Sequence, residues 1–300
     1  MQQKDYRQLL KPDVVSKLKT MDLRARLVVE GFIAGLHKSP YHGFSVEFAE
    51  HRQYMPGDAI RHIDWKVYGK TDRFYVKQFE EETNLKSYLL LDASASMGYA
   101  SNGLSKLEYA SYLTAALTYL MIKQRDAVGL LTFDNKIRKY LPPRSIKSYL
   151  HLILKELEVL KSADVTDVAD TFHEMAERIN RRGLIIILSD LYDDPEKIML
   201  GLKHFRHKKH EVIVFHILDP LEISFAYQRE AIFKDLETGE EISTQPWHIQ
   251  SEYQKLVNRF IENYKRQCRQ HQIDYILLNT AMDFDRALIE YLIKRKRIGG

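Results

Sequence analysis

The sequence predicts an α/β fold, a mostly parallel central sheet with helices on both faces, preceded by an N-terminal α+β extension. Three observations carry this. Short apolar runs at 88–91, 127–133, 184–189, 211–218 and 273–278 are nearly continuous, as in strands buried on both faces. Between them lie stretches of roughly ten to twenty residues with apolar positions at helical spacing, the alternation expected of a parallel sheet. Two of the runs end in aspartate, Asp92 and Asp190. In open α/β sheets, ligands bind outside that strand end.

Taken in order, residues 1–36 read as helix: Pro12 can open it, and Val14, Val15, Leu18, Leu23, Leu27, Val28, Phe32 and Ile33 recur at helical spacing. Residues 37–71 shift to His, Tyr, Gly and Arg around a Pro56-Gly57-Asp58 turn. FYVKQF at 74–79 reads as a strand. Helices follow at 104–124, 145–160, 168–180, 195–207, 253–270 and 284–294. Residues 136–141 form an edge strand ended by Pro142-Pro143. Residues 162–166 form a polar connector, and 221–250 an inserted hairpin turning at Thr238-Gly239. The expected division is 1–82 as an N-terminal subdomain and 83–300 as the α/β domain carrying that insertion.

Composition narrows the function classes. With 45% hydrophobic and 29% charged residues, the 300-residue chain can bury a full core and remain soluble. A formal charge of +4 permits an acidic partner without demanding nucleic acid. The single cysteine, Cys268, excludes an internal disulfide and a thiolate metal cage, and reads as a plain free thiol. MQQKDYRQLLKPD lacks an apolar signal core and no segment reaches membrane-span length, so a cytoplasmic location is expected. In the 37–80 block, Arg52, Arg61, Lys66, Lys70, Arg73 and Lys77 alternate with Tyr54, Trp65, Tyr68 and Tyr75. Glu47, Glu50, Asp58, Asp64 and Asp72 interrupt that charge and would repel phosphates. A salt-bridged subdomain is the better reading than a nucleic-acid surface.

The stretch SYLLLDASASMG at 87–98 organises the rest. Asp92, Ser94 and Ser96 emerge at alternate positions where a strand becomes a loop, and Ala93, Ala95 and Gly98 let that loop curl. Oxygen-only ligands suit a hard cation such as Mg²⁺. Asp190 can reach the same sheet edge, and Thr166 can add a third hydroxyl. The same residues equally serve as a helix cap or a turn brace, and on their own they leave both readings open.

Asp92-Ala-Ser94-Ala-Ser96, Thr166 and Asp190, in that chain order, resemble the metal-ion-dependent adhesion site of von Willebrand factor A domains. Upstream, Glu47-Phe-Ala-Glu-His-Arg52, Tyr54, Pro56-Gly57-Asp58, Arg61, Ile63-Asp64-Trp65 and the run at 72–80 resemble the signature of one bacterial branch, the domain-of-unknown-function 58 family. The likeness covers residues 30 to 220. It implies an A-domain-like fold and a site of Asp92, Ser94, Ser96, Thr166 and Asp190 holding Mg²⁺ or Mn²⁺, or empty in the free protein. It also implies a MoxR-type AAA+ ATPase as partner, and it marks Glu47, Arg52, Tyr54, Gly57, Asp58, Arg61, Asp64 and Trp65 as an interface or structural signature. Two positions depart from the A-domain pattern. Asp164-Val165 stand where glycine usually precedes the threonine, and Asp190 is followed by Leu191 rather than glycine, with Asp193 and Asp194 close behind.

The function expected from these residues is a non-enzymatic, metal-dependent interaction module that takes a partner's carboxylate at the metal. The alternative is a Mg²⁺-dependent phosphoryl-transfer enzyme or phosphatase using Asp92. There Ser94 stands where such enzymes need a second aspartate. Neither a G-x-x-x-x-G-K-[ST] loop nor a G-x-S-x-G elbow occurs.

Overall fold

The computed structural model describes residues 11–36, 51–54, 65, 68–69, 72, 74–77, 85–101, 103–162, 169–227, 229, 231–234 and 241–299. Two helices come first, α1 (Pro12–Ser16) and α2 (Met21–Leu36). The sequence suggested one helix here. The break falls where Thr20 Oγ1 accepts from the amide of Leu23 at 3.3 Å and so starts α2. Strands β1 (His51–Gln53) and β2 (Tyr75–Lys77) pair antiparallel.

The central sheet begins with β3 (Lys86–Asp92), α3 (Lys106–Lys123), β4 (Ala127–Phe133) and β5 (Ile137–Arg144). It continues through α4 (Lys147–Val159), α5 (Ala169–Arg178), β6 (Leu184–Ser189), α6 (Pro195–His207) and β7 (Glu211–Leu218). After α7 (Pro220–Ser224), β8 (Ala231–Lys234) and β9 (Glu241–Thr244) pair as a hairpin apart from the sheet. The chain then forms α8 (Pro246–Gln270), β10 (Asp274–Asn279) and α9 (Asp285–Gly299). Helix α8 starts seven residues before the expected 253, because Pro246 occupies its first position, where a missing N–H costs nothing.

Six strands lie in the order β10-β7-β6-β3-β4-β5, all parallel except β5 on β4. Strand β5 runs through Pro142-Pro143 instead of stopping there. As the outer strand it can spare their missing donors. The architecture is thus α/β, with alternate strand residues feeding two apolar layers. Leu89, Leu91, Leu184, Ile186 and Leu188 face α3, α4 and α9, whereas Tyr88, Leu90, Ile185 and Ile187 face α5, α6 and α8.

Helix α3 is buried almost all round, as a helix must be when it is covered on both sides. The sheet covers one side, and Ala25, Val28, Val29 and Phe32 of α2 join the same core from outside. The Met21 amide donates to Glu158 Oε1 of α4 at 2.9 Å, and the Arg24 guanidinium lies 4.5 Å from the Tyr112 ring centre. The helical part of 1–82 therefore shares its core with the sheet. Among the described residues no helix is long and apolar enough to cross a membrane.

Gly183, just before β6, allows the close strand approach that brings β6 onto β3. A Cβ there would stand 2.1 Å from the carbonyl oxygen of Lys86. Gly183→Ala is expected to lower unfolding stability by about 1–3 kcal/mol through this overpacking. Urea denaturation checks it, with an unchanged midpoint as the contrary result.

A candidate metal and docking site at the sheet's switch point

From β3 the chain moves outward to β4 and β5, then crosses back to β6 and β7 on the other side. The reversal makes the carboxyl ends of β3 and β6 a topological switch point, the place where open α/β sheets bind ligands. Asp92 ends β3 and Asp190 follows β6; both are buried. Parallel pairing of Leu91 with Leu188 sets the two ends side by side.

The loop after Asp92 folds back on it. The Ser94 amide donates to Asp92 Oδ1 at 2.9 Å, and the Ser94 and Ser96 hydroxyls lie 3.1 Å apart. Ser96–Gly98 form one 3₁₀ turn. Gly98 lies close to the connector, where a Cβ would stand 2.8 Å from Ser162 Oγ. Ser189 Oγ donates to Asp92 Oδ2 at 2.5 Å and accepts from the Leu191 amide at 3.0 Å. Burial first, and then the charge of Asp190, push the Asp92 carboxyl up to about 7 against the hydrogen bonds from Ser189 and Ser94.

Asp190 is held from three directions. Lys106 Nζ donates to its Oδ2 at 2.8 Å and the Tyr192 amide to its Oδ1 at 3.3 Å. His216 on β7 donates from Nε2 to the Asp190 carbonyl at 2.8 Å and accepts at Nδ1 from the Tyr275 hydroxyl at 2.5 Å. Burial pushes this imidazole down to about 4, which keeps it neutral and fixes those roles. Lys106 also donates to Glu222 Oε1 at 2.6 Å. Burial opposes its charge, but Asp190 and Glu222 outweigh that and hold the ammonium above the ordinary lysine value. Burial raises the Glu222 carboxyl, while Lys106 and the Asp219 amide pull it back.

Of the residues singled out in the sequence, Asp92, Ser94, Ser96 and Asp190 are brought to this one edge. Thr166, Glu47, Gly57, Asp58, Arg61 and Asp64 lie outside the described residues. Arg52 contributes backbone to β1. Tyr54 is half-buried with its ring 6.2 Å from Phe74, and Trp65 is exposed and set edge-on to Tyr68. Asp194 is excluded from the distal role by its own task, capping α6 through the Glu196 amide at 2.9 Å, and Asp193 Oδ1 accepts from the Asp194 amide at 2.6 Å.

Lys106, Ser189, His216, Asp219 and Glu222 were not singled out. For Asp219 and Glu222 a signal existed. D-P-x-E at 219–222 is a capping box, and both halves form: the Asp219 side chain accepts from α7 and Glu222 answers on the Asp219 amide. Asp219 Oδ2 also accepts from the Ser101 amide at 3.0 Å, tying the loop after β3 to the end of β7. Cys268 is buried, and burial pushes its thiol up to about 12, which suits an unreactive packing residue.

Sheet order and the helices on both faces define an α/β protein with a mostly parallel six-stranded sheet and two strand-end aspartates at its switch point. The chain belongs to the family described as Protein of unknown function DUF58, which it matches over residues 50–263. Its curated relatives include Uncharacterized protein Rv1480 of Mycobacterium tuberculosis strain H37Rv and Uncharacterized protein Mb1516 of Mycobacterium bovis. Each is 24% identical over 291 residues, covering 95% of this chain and 91% of the relative. Similar solved structures include the conserved hypothetical protein BatB from Bacteroides thetaiotaomicron, at 17% identity over 70% of this chain and 99% of that one, with a TM-score of 0.45. Another is the SpRpn10 VWA domain, at 10% identity over 70% and 95%, with a TM-score of 0.40.

The Asp92 shift has a pH consequence. Its carboxyl sits near 7 in the folded chain, against 3.8 for a free aspartate side chain. Between those values the native state binds the extra proton, so stability falls as pH rises. With EDTA present, Asp92→Asn is therefore expected to match wild type near pH 4 and exceed it by about 2–4 kcal/mol above pH 7. Urea denaturation across that range reads the difference. A gap that does not vary with pH would contradict it.

Proposed function

We propose that this chain is a non-enzymatic, metal-dependent protein-interaction module whose docking point is the Asp92–Asp190 edge. The observation that carries the reading is a pair of buried carboxylates at the ends of two neighbouring parallel strands, with two serine hydroxyls beside one of them. Buried like charges of this kind favour a counter-cation. The donor set is oxygen throughout, which fits Mg²⁺ or Mn²⁺. Among the described residues no group of three or more His, Cys, Asp and Glu forms a metal cluster, so a cation here would depend on the serine hydroxyls. Asp92, Ser94, Ser96 and Asp190 would hold it, joined by Thr166 on the A-domain resemblance.

Such an ion supplies a concentrated positive charge that an acidic side chain of another protein can complete. The chain's own part is to keep the carboxylates fixed and dry. Asp92 has one oxygen on the Ser94 amide and the other on Ser189, which suits a ligand better than an attacking nucleophile. The missing second aspartate at position 94 points the same way. The domain-of-unknown-function 58 resemblance supports a MoxR-type AAA+ ATPase as the carboxylate-bearing partner. A cytoplasmic setting belongs to the same reading. The acids interspersed through 37–80 argue against nucleic acid.

Thermal melts of wild type and Asp92→Ala in EDTA, Mg²⁺ and Mn²⁺ test the site. Saturating metal is expected to raise the wild-type Tm by about 5 °C and leave Asp92→Ala unmoved. No shift in either protein overturns the metal site, and partner capture that survives EDTA overturns metal-dependent docking.

A further inference from the structure

Lys106 is the first residue of α3, and its side chain is fully buried. A lysine at a helix N-terminus sits at the unfavourable end of the dipole, and burying an ammonium is costly unless it is paired. This one is paired twice, on Asp190 Oδ2 at 2.8 Å and Glu222 Oε1 at 2.6 Å, with the Tyr192 ring centre 4.8 Å away. The capping box Ser105-x-x-Glu108 fixes the start of the helix and so the place from which the side chain enters. Glu222 is fixed too, its other oxygen accepting from the Asp219 amide at 2.7 Å. The chain has thus built a cation into its own carboxylate edge.

We infer that Lys106 is the resident cation of this site: its ammonium holds Asp190, and a divalent ion binds there only in competition with it. The inference rests on the metal reading above and deepens it by naming what regulates the site's affinity. Two cations on one buried carboxylate repel strongly, because little water screens them. Glu222 gives the ammonium a second acceptor, so metal on Asp190 and Lys106 on Glu222 favour each other. Removing the ammonium tightens metal binding. Removing Glu222 leaves Lys106 on Asp190 alone and weakens it.

The test is calorimetric titration of the full chain with Mn²⁺ for wild type, Lys106→Met, Lys106→Arg, Glu222→Gln and Lys106→Met/Asp92→Ala. Lys106→Met is expected to bind Mn²⁺ at least about tenfold tighter than wild type, and Lys106→Arg to stay close to wild type. Glu222→Gln is expected to bind several-fold more weakly, and the double variant to lose binding. Equal or weaker binding by folded Lys106→Met overturns competition while leaving the metal site standing. Should Lys106→Met fail to fold even with Mn²⁺, Glu222→Gln decides, with unchanged or tighter binding overturning the inference. No binding by wild type or Lys106→Met removes the metal reading and this inference with it.

Discussion

The ammonium of Lys106 between Asp190 and Glu222 is the contact on which the carboxyl edge of the sheet depends. Asp92, Asp190 and Asp219 stand at the ends of three neighbouring strands and are all buried. Asp219 spends its oxygens on backbone amides of α7 and the loop after β3. Both oxygens of Asp92 and of Asp190 accept hydrogen bonds as well, and Lys106 brings a buried positive charge to Asp190. Removing one member of a buried pair costs about 3–5 kcal/mol. The edge is therefore stable only as a charge-balanced unit.

Backbone geometry around Asp190 serves the same end. Leu191 has a φ of 55°, the left-handed region that a branched side chain adopts only at a cost of about 1–2 kcal/mol. Its amide donates to Ser189 Oγ and its carbonyl accepts from the Tyr264 hydroxyl at 3.3 Å. The side chain is buried in the layer facing α6 and α8. That burial contributes about 1.5–3 kcal/mol and offsets the strain. Glycine at this place would reach the conformation freely, whereas here packing enforces it. Neutral His216 completes the arrangement from β7, fixing the Asp190 carbonyl while its own ring is fixed by Tyr275.

Much of this was legible in the sequence. The continuous apolar runs located the central strands, because a strand buried on both faces needs no polar alternation. D-x-S-x-S at the end of one run and Asp190 at the end of another located the edge, since strand ends of a parallel sheet lie together. The start of α2 was less legible, because Thr20 acts as a cap only once α1 has turned away. The start of α8 was misplaced because its first two turns after Pro246 leave Trp247 and Ile249 exposed, and apolar packing on the core resumes only at Tyr253.

What the sequence determined by itself is local: which segments are strand or helix, which carboxylates end strands, and which motifs cap. What only the tertiary structure decided is which charges meet. In the chain Lys106 is one of 45 Lys and Arg residues, and Glu222 lies three residues after Asp219, a spacing that points only to a helix cap. Lys106 meets Asp190 and Glu222 because α3, β6 and α7 converge on one edge, across separations of 84 and 116 residues. Coulomb energy depends on distance in space and on exclusion of water, and neither is written in the chain order.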